Sequence, residues 1–191
     1  MSEIILASAS PRRIELIKTI CENAVNIDAD IDESVPCGIE LLNYAEYIAC
    51  KKAEKVAGEN RDAFVIGCDT VVIINGEILG KPHDEEDAER MLRMLSGRLH
   101  TVVTGCCICF NEEKVSFSET TQVEFSELSD EVIKEYVKTG EPLDKAGAYG
   151  IQGKGALIVK GIKGDYYNVM GLPLSRLNRE LTAFKDKVHS V

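Results

Sequence analysis

Serine and arginine side chains near the amino terminus form the first group that could bind phosphate. They lie in Ser8–Arg13, between a short apolar run typical of a buried strand and a segment with helical spacing. The pattern predicts Ser10 as a helix N-cap and Pro11 as the first helical residue. Arg12 and Arg13 then stand in the first turn, where the helix dipole disfavours each cation by about 0.3–1 kcal/mol. A bound phosphate would offset that cost, and a solvated helix start accounts for the same residues equally well.

Asp69 is the second candidate, because it directly follows Phe64–Cys68, an apolar run with the pattern of a buried strand. A carboxylate at the carboxyl end of a strand is a common position for catalytic groups in α/β proteins. Asp69 could activate a water molecule or hold a divalent cation that does so. A structural carboxylate that accepts hydrogen bonds in a turn would occupy the same position.

Two lysines stand in segments that could reach an anion. Lys52 lies in the apolar stripe of a predicted helix over residues 40–57, so it either extends to solvent or points into a cleft and meets a charge. Lys81 stands between Gly80 and Pro82, in a stiff loop from which its ammonium can reach a phosphate. The chain contains no P-loop pattern, so the phosphate contacts must come from dispersed side chains and the first helix start.

A glycine-rich segment, Asp144–Gly155, is the third candidate. It contains four glycines between positions 147 and 155, which permit close backbone approach or positive φ. The amide of Gln152 offers a donor and an acceptor in one plane, which suits the edge of a nucleobase, and Tyr149 offers a stacking face. A flexible surface loop would have a similar composition, although the apolar residues in and after the segment favour an ordered one.

The composition excludes several classes of protein. With 22 Lys and Arg against 32 Asp and Glu, the 191-residue chain has a net charge of −10, which argues against nucleic-acid and anionic-membrane binding. We expect no signal peptide, because Glu3 and Arg12-Arg13 interrupt the first apolar run, and no membrane segment, because no stretch of about 18 apolar residues exists. The seven cysteines fall mostly in predicted strands and helices, as expected for reduced thiols in the cytoplasm. The spacing of Cys106, Cys107 and Cys109 is not that of zinc ligands.

Strand and helix patterns alternate along the chain and predict an α/β fold with a mixed sheet, in one domain over residues 1–191. Strands are predicted at 4–6, 25–31, 64–68, 71–74, 77–79, 99–110, 114–125 and 156–162. Helices are predicted from residue 11, over 40–57, from Asp84 to Leu95, from Ser129 or Asp130 to Gly140, and over 173–184. Residues 164–173 are interpreted as mainly structural, at a seam between lobes or a dimer contact.

Taken together, the motifs resemble those of the Maf family of nucleoside triphosphate pyrophosphatases over nearly the whole chain. Each motif alone is weak evidence for a family, but the order and spacing of the motifs together are highly specific. The matching segments are Ser8–Arg13, Glu33, Lys52-Ala53, Asp69–Val72, Leu79–Pro82, Leu95–Gly97, His100–Val102, Thr104-Gly105, Gly140–Pro142, Asp144–Gly153 and Gly171–Pro173.

The resemblance implies an elongated α/β protein with two lobes around a central cleft, similar to inosine triphosphate pyrophosphatase. It implies hydrolysis of a nucleoside triphosphate to the monophosphate and pyrophosphate with a divalent metal, Mg²⁺ or Mn²⁺, and it is compatible with a homodimer. The glycine-rich segment is similar to that of the subgroup that acts on dTTP and UTP. Family members are also linked to arrest of cell division, a role that none of these residues indicates by itself.

By position, the resemblance makes Asp69 the catalytic acceptor, and Glu33 and Asp69 are the candidate metal ligands. Arg13, Thr70 and Gln152 match the specificity positions of the family. The other residues expected to contact the substrate are Ser8, Ser10, Arg12, Lys52 and Lys81.

Three other functions fit parts of the pattern. The same chemistry could act on 7-methyl-GTP or another non-standard nucleotide. A regulatory module could hold a nucleotide or a division protein without turnover, although such a module has no need of Asp69, Glu33, Lys52 and Lys81 together. A phosphate-binding domain of unrelated function would not account for the match along the whole chain.

Overall fold

The structure is a computed structural model that describes residues 3–190. Within that range seven strands form one sheet in the order β2-β1-β3-β5-β6-β7, with β4 paired to β3. Strand β1 is parallel to β2 and β3, whereas β4 and β7 are antiparallel to β3 and β6, so the predicted mixed α/β fold is confirmed. The strands are β1 (Ile4–Ala7), β2 (Val25–Ile27), β3 (Phe64–Ile74), β4 (Glu77–Leu79), β5 (Leu99–Phe110), β6 (Glu113–Phe125) and β7 (Val159–Lys163).

Within residues 3–190, six α-helices lie between these strands or follow them. They are α1 (Pro11–Ile17), α2 (Leu41–Ala57), α3 (Glu85–Leu95), α4 (Asp130–Val137), α5 (Tyr166–Met170) and α6 (Leu174–His189). Short 3-10 segments occupy Glu141–Asp144, Ala146–Ala148 and Gly153–Leu157. None of the helices over 3–190 combines the length and the apolar composition needed to cross a bilayer.

The chain divides into two compact units. The first unit consists of the chain up to Asp69, Thr104–Glu119 and the chain from Gly171 onward. The second unit consists of Thr70–Val103 and Thr120–Met170. Strands β3, β5 and β6 contribute residues to both units, and each unit has its own buried residues.

Close packing of α2 against the sheet defines the interior of the first unit. The helix turns Ala45, Ala49 and Ala53 inward, and all three are fully buried. A Cβ at Gly67 in β3 would lie 2.6 Å from the amide nitrogen of Ala53 and would overlap the carbonyl oxygen of Ala49. A Cβ at Gly105 in β5 would overlap the backbone of the first turns of α2 in the same way. Small residues on both surfaces therefore let the helix backbone lie directly on two strands.

Polar contacts then fix α2 along its axis. The carboxylate of Glu46 accepts hydrogen bonds from Ser116 at 2.7 Å and Ser118 at 2.8 Å, both on β6. One ion pair joins Lys114 to Glu54 at 2.6 Å. Because the apolar contacts of small residues are only weakly directional, we infer that these side chains set the position of the helix.

The second unit is built around α3 and α4, whose predicted starts are both confirmed. Asp84 caps α3 by accepting a hydrogen bond from the amide of Asp87, and Ser129 caps α4 by accepting one from Val132. The buried face of α3 packs with apolar residues of β3, β4 and α4 in one cluster. The residues of this cluster include Val72, Leu79, Ala88, Met91, Leu92, Leu95, Ile133 and Val137.

A buried aromatic group completes that interior. Phe125 and Tyr149 meet edge to face at 4.7 Å, and each forms a similar contact with His100. Nε2 of His100 lies 2.8 Å from the hydroxyl oxygen of Tyr149, within hydrogen-bond distance. Burial lowers the pKa of His100 to about 4, because the imidazolium would lose its hydration there.

The prediction that Asp69 ends a strand is wrong. Strand β3 continues through Asp69, because Val72–Ile74 pair with β4. Strand β1 pairs only with Phe64–Gly67, so its hydrogen bonds to β3 end before Asp69. The carboxylate therefore lies beyond the carboxyl end of β1 but inside a longer strand.

Several predicted boundaries also differ from the structure. Strand β2 ends at Ile27 rather than at residue 31. Asp30, within the predicted range, has a left-handed φ of 39° that a strand does not permit. Strand β7 begins at Val159 rather than residue 156, because Gly153–Leu157 form a 3-10 segment. Helix α1 ends at Ile17 and α6 continues to His189, since no residue after Phe184 is a helix breaker.

Gly67→Ala tests the contact between α2 and β3. The added methyl group would overlap helix backbone, which cannot move aside as a side chain can, so we expect a loss of about 3 kcal/mol or more in unfolding free energy. The measurement is the midpoint of denaturant unfolding. Gly161→Ala in β7 is the matched control, because its Cβ would meet nothing within 4 Å and should leave the midpoint nearly unchanged. Equal effects of the two substitutions would contradict the packing argument.

The depressed pKa of His100 predicts a pH dependence of stability. Between about pH 4 and 6.5 the unfolded chain binds a proton at this histidine that the folded chain does not, so the unfolding free energy rises with pH. The gain amounts to about 3 kcal/mol over that interval. His100→Gln removes the titration, and the slope of unfolding free energy against pH should flatten by that amount relative to the original chain. Parallel slopes for the two proteins would be inconsistent with a neutral buried His100.

Candidate active site

Lys52 lies between two carboxylates of the first unit. Its Nζ is 2.9 Å from Oδ1 of Asp69 and 2.7 Å from Oε1 of Glu33. The side chains of Lys52 and Asp69 are only 13% and 15% exposed, whereas that of Glu33 is 60% exposed. Of the two positions open to Lys52, the structure shows the one in which the ammonium meets charge.

The two neighbouring lysines of α2 hold the segment that carries Glu33. The ammonium of Lys51 donates to the main-chain oxygens of Asp32 at 2.6 Å and Ser34 at 3.3 Å. Asp32 in turn accepts from the amide and hydroxyl of Ser34, and these bonds lower the pKa of its carboxyl. The loop is thus tied to α2 through its backbone as well as through the Glu33 carboxylate.

Tyr44 is a neighbour of the acid pair that the sequence reasoning missed. It stands two turns before Lys52 on α2, and burial followed by the negative charges of Asp69 and Glu33 raises the pKa of its phenol. The hydroxyl therefore keeps its proton and can donate a hydrogen bond. The spacing of eight residues between Tyr44 and Lys52, which places both on one helix face, was the available signal.

The serines near α1 arrange the backbone at its start. Ser8 is buried, and its hydroxyl oxygen accepts a hydrogen bond from the amide of Ser10 at 3.2 Å. Ser10 is the N-cap residue as predicted, but its side chain makes no capping hydrogen bond. Pro11 occupies the first turn, and half-buried Arg12 follows it. Substrate binding by Ser8, Ser10 and Arg12 stays a prediction.

Arg13 is buried and directs N–H groups to main-chain oxygens of its own unit. Its Nε donates to the carbonyl of Gly171 at 2.7 Å, and one terminal nitrogen donates to the carbonyl of Cys68 at 2.9 Å. Cys68 immediately precedes Asp69, so this arginine positions the strand that carries the candidate catalytic carboxylate. A role of Arg13 in nucleotide selection stays a prediction.

The remaining predicted residues belong to the second unit. Thr70 is half-buried and follows Asp69 directly in β3, so the two side chains leave opposite faces of the strand. Lys81 and Gln152 are both exposed. Their loops are joined by a hydrogen bond from the amide of Gly147 to the carbonyl of Gly80, 3.0 Å long. Lys81 and Gln152 thus stand on two connected segments.

The glycine-rich segment is ordered by hydrogen bonds with side chains of neighbouring elements, which excludes the flexible-loop alternative. Besides the contact between His100 and Tyr149, the hydroxyl of Tyr136 accepts from the amide of Gly150 at 3.1 Å. The carboxylate of Glu141 accepts from the amide of Lys154 at 3.1 Å. His100, Tyr136 and Glu141 have no role predicted from the sequence, although His100 and Glu141 lie in motifs that carry the family resemblance.

Two consecutive left-handed residues shape the turn before Gln152. Gly147 has φ 68°, and a Cβ there would lie 2.8 Å from a methyl group of Val72. Ala148 follows with φ 59°, which is costly for a residue with a side chain, and it is fully buried. The surrounding contacts must supply the energy of this conformation, so the path of the segment is strongly specified.

The donor set fits a divalent cation that is shared with a phosphate ligand. Glu33 and Asp69 offer carboxylate oxygens, and no group of three His, Cys, Asp or Glu side chains within 3–190 forms a complete metal site. Mg²⁺ is commonly bound in this way, through one or two carboxylates together with substrate phosphates and water. Asp69 also has lone pairs beyond the one directed at Lys52, with which it can accept a hydrogen bond from water.

Comparisons with known proteins agree with the motifs. Residues 3–184 match the family model described as Maf-like protein. The chain is 46% identical to a dTTP/UTP pyrophosphatase of Bacillus cereus (strain B4264) over 191 residues, which is 100% of both chains. It is 48% identical to a dTTP/UTP pyrophosphatase of Bacillus velezensis over 184 residues, covering 96% of this chain and 97% of that one.

Solved structures share the fold at low sequence identity. A HAM1 protein from Coxiella burnetii superposes with a TM-score of 0.51 at 15% identity, covering 96% of this chain and 100% of that chain. The Staphylococcus aureus Ham1 protein gives a TM-score of 0.50 at 21% identity, covering 83% and 80%. The fold is therefore that of the Ham1 proteins, and the match from residue 3 to residue 184 together with the full-length relatives shows that this chain belongs to the Maf family.

Proposed function

We propose that this protein is a nucleoside triphosphate pyrophosphatase that hydrolyses dTTP and UTP to the monophosphate and pyrophosphate. Full-length relatives with 46% and 48% identity carry the name dTTP/UTP pyrophosphatase. The observation that carries the proposal is the contact of Lys52 with Asp69 and Glu33, which combines a cation for phosphate with carboxylates for water and metal. A module that only held a nucleotide would have no need of both carboxylates.

In the proposed reaction the residues of the first unit act on the triphosphate and on water. Asp69 accepts a hydrogen bond from a water molecule and orients it for in-line attack on the α-phosphorus. Lys52 neutralises negative charge that grows on the pyrophosphate leaving group, and Arg12 serves the same purpose. The bonds of Arg13 to Cys68 and Gly171 keep Asp69 in place during this step.

Glu33 and Asp69 are the residues that would hold Mg²⁺ or Mn²⁺. A divalent cation bound there would neutralise phosphate charge and lower the pKa of coordinated water. Since Glu33 is largely exposed and its loop is tied to Lys51, its carboxylate can turn from Lys52 to a cation without movement of the backbone.

Gln152 and Thr70 are the residues that we assign to base recognition. A planar amide can donate to O4 and accept from N3–H of thymine or uracil, whereas cytosine reverses the pattern at both atoms. Lys81 contributes a second cation for phosphate.

We further infer a cytoplasmic location from the free cysteines along the chain, and a homodimer from the family resemblance alone.

A panel of nucleotides tests the proposed function. Pyrophosphate release should be at least about tenfold faster, as kcat/KM, for dTTP and UTP than for dCTP, CTP or 7-methyl-GTP, because the wrong base edge leaves polar groups unpaired. Removal of divalent cations with a chelator should abolish release, and Mg²⁺ or Mn²⁺ should restore it. Preference for 7-methyl-GTP would redirect the assignment within the family, and release from none of the nucleotides would favour the regulatory alternative.

Asp69→Asn supplies the catalytic control for that panel. The amide keeps the shape of the side chain but is a poor base, so kcat should fall about 10²- to 10⁴-fold, while Lys52 keeps its contact with Glu33 and the protein stays folded. Asp62→Asn is the matched control, because Asp62 is an exposed carboxylate of the same unit outside the Lys52 contacts. Near-normal turnover of Asp69→Asn would remove the carboxylate from the mechanism.

Gln152→Ala tests base recognition separately from chemistry. Loss of the amide should reduce the ratio of kcat/KM for dTTP to that for dCTP by about tenfold, mainly through KM for dTTP, because one good base contact is worth about 1–3 kcal/mol. Gln122→Ala, at an exposed glutamine of β6, is the control and should leave the ratio unchanged. An unaltered ratio in Gln152→Ala would assign base selection to other residues.

A further inference from the structure

Three thiols of the first unit meet between α2 and β5, away from the Lys52 contacts. Cys107 and Cys109 are two residues apart in β5, so both side chains point to one face of the strand, and their Sγ atoms are 3.9 Å apart. Cys50 of α2 packs against the same buried cluster. Cys107 is fully buried and Cys109 nearly so, whereas Cys50 is half-buried. Cys107 is therefore the central thiol, and Cys50 is the one nearest to solvent.

Hydrogen bonds with Cys107 lower the pKa of both Cys50 and Cys109, and of these two thiols only Cys50 is partly exposed. A hydrogen bond with Cys107 is the main cause that lowers the pKa of Cys50 to about 7, assisted by Ser116 and the positive charge of Lys114. Burial and the carboxylate of Glu54 act in the opposite direction but are outweighed. Hydrogen bonds with its two neighbours raise the pKa of Cys107, which keeps its proton. The arrangement places a partly exposed thiol with a lowered pKa next to a buried thiol that keeps its proton.

Small solutes can approach this cluster from the surface. A pocket of about 290 Å³ reaches the cluster at Cys109, with Glu54 and Lys114 also in its wall, and Cys50 is itself partly exposed. A thiolate that is accessible and close to a second thiol is the combination that peroxide-reactive cysteines use. Metal binding is the other use of clustered thiols, but no three His, Cys, Asp or Glu side chains between residues 3 and 190 converge as metal ligands.

We propose that Cys50 is a peroxide-reactive thiol and that Cys107 is its resolving partner, so that oxidation closes a disulfide between α2 and β5. In the first step the Cys50 thiolate attacks one oxygen of hydrogen peroxide, the O–O bond breaks, and Cys50 sulfenic acid and hydroxide form. In the second step the sulfur of Cys107 attacks the sulfenic sulfur as it loses its proton, and water leaves. The two thiols are oxidised by two electrons, and one peroxide is reduced to two waters.

Peroxide treatment of the full-length reduced protein, followed by alkylation and mass mapping, tests the proposal. We expect a Cys50–Cys107 cross-link with the loss of two hydrogens. Iodoacetamide at pH 7 should modify Cys50 at least about fivefold faster than the exposed Cys37, because a thiol of pKa about 7 is half ionised there. Faster modification of Cys37, or sulfinic acid at Cys50 without a cross-link, would overturn the proposal.

Two serine variants identify the partners. Cys50→Ser should abolish the cross-link and, since Cys50 does not touch the Lys52 contacts, should leave dTTP hydrolysis of the reduced protein unchanged. Cys109→Ser should retain the cross-link, because Cys109 is a neighbour and not a partner. A Cys107–Cys109 disulfide in the original chain, or loss of the cross-link in Cys109→Ser, would refute the assignment of Cys107.

Discussion

The close approach of α2 to β3 and β5 is the constraint on which the first unit depends. Gly67 and Gly105 remove the Cβ atoms that would otherwise separate helix from sheet, and the alanines of α2 present a flat surface to them. Because the helix backbone lies directly on the strand backbone, the Cα and Cβ positions on the two elements are fixed relative to each other. The contact of Lys52 with Asp69 follows from this geometry, since one residue is on the helix and the other is on the strand beneath it.

The adjacent residues Lys51 and Lys52 of α2 bind different groups. Consecutive residues of an α-helix differ by about 100° in direction, so the two ammonium groups reach different atoms around the same loop. Lys51 binds main-chain oxygens of the Asp32–Ser34 loop, and Lys52 binds the carboxylates. The loop that carries the exposed Glu33 is thereby held beside the partly buried Asp69. The low exposure of Lys52 and Asp69 makes their electrostatic interaction stronger than that of the surface ion pairs elsewhere in the chain.

In the second unit, hydrogen bonds rather than close backbone packing hold the glycine-rich segment in place. This segment takes two left-handed residues in succession, which is unfavourable by itself, and polar side chains of neighbouring elements hold it there. His100, Tyr136 and Glu141 each supply one hydrogen bond to that segment from a separate element. These hydrogen bonds favour one path of the segment, because a different path would leave the amides of Gly150 and Lys154 without these partners. Gln152 is exposed at the end of this ordered path.

The amino-acid sequence by itself determined the fold class, the starts of α3 and α4, strand β4 and the residue types of the candidate site. These depend on periodicity and on capping side chains that are near one another in the chain. The sequence also carried the family resemblance. Only the tertiary structure decided that Asp69 lies inside a strand, that Lys52 turns inward to Asp69 and Glu33, and that Tyr44 stands beside them. The same holds for the bonds of Arg13 to the backbone and for the meeting of Cys50 with Cys107. Each of these depends on which surfaces pack together across long separations in the chain, and local patterns contain no information about such distances.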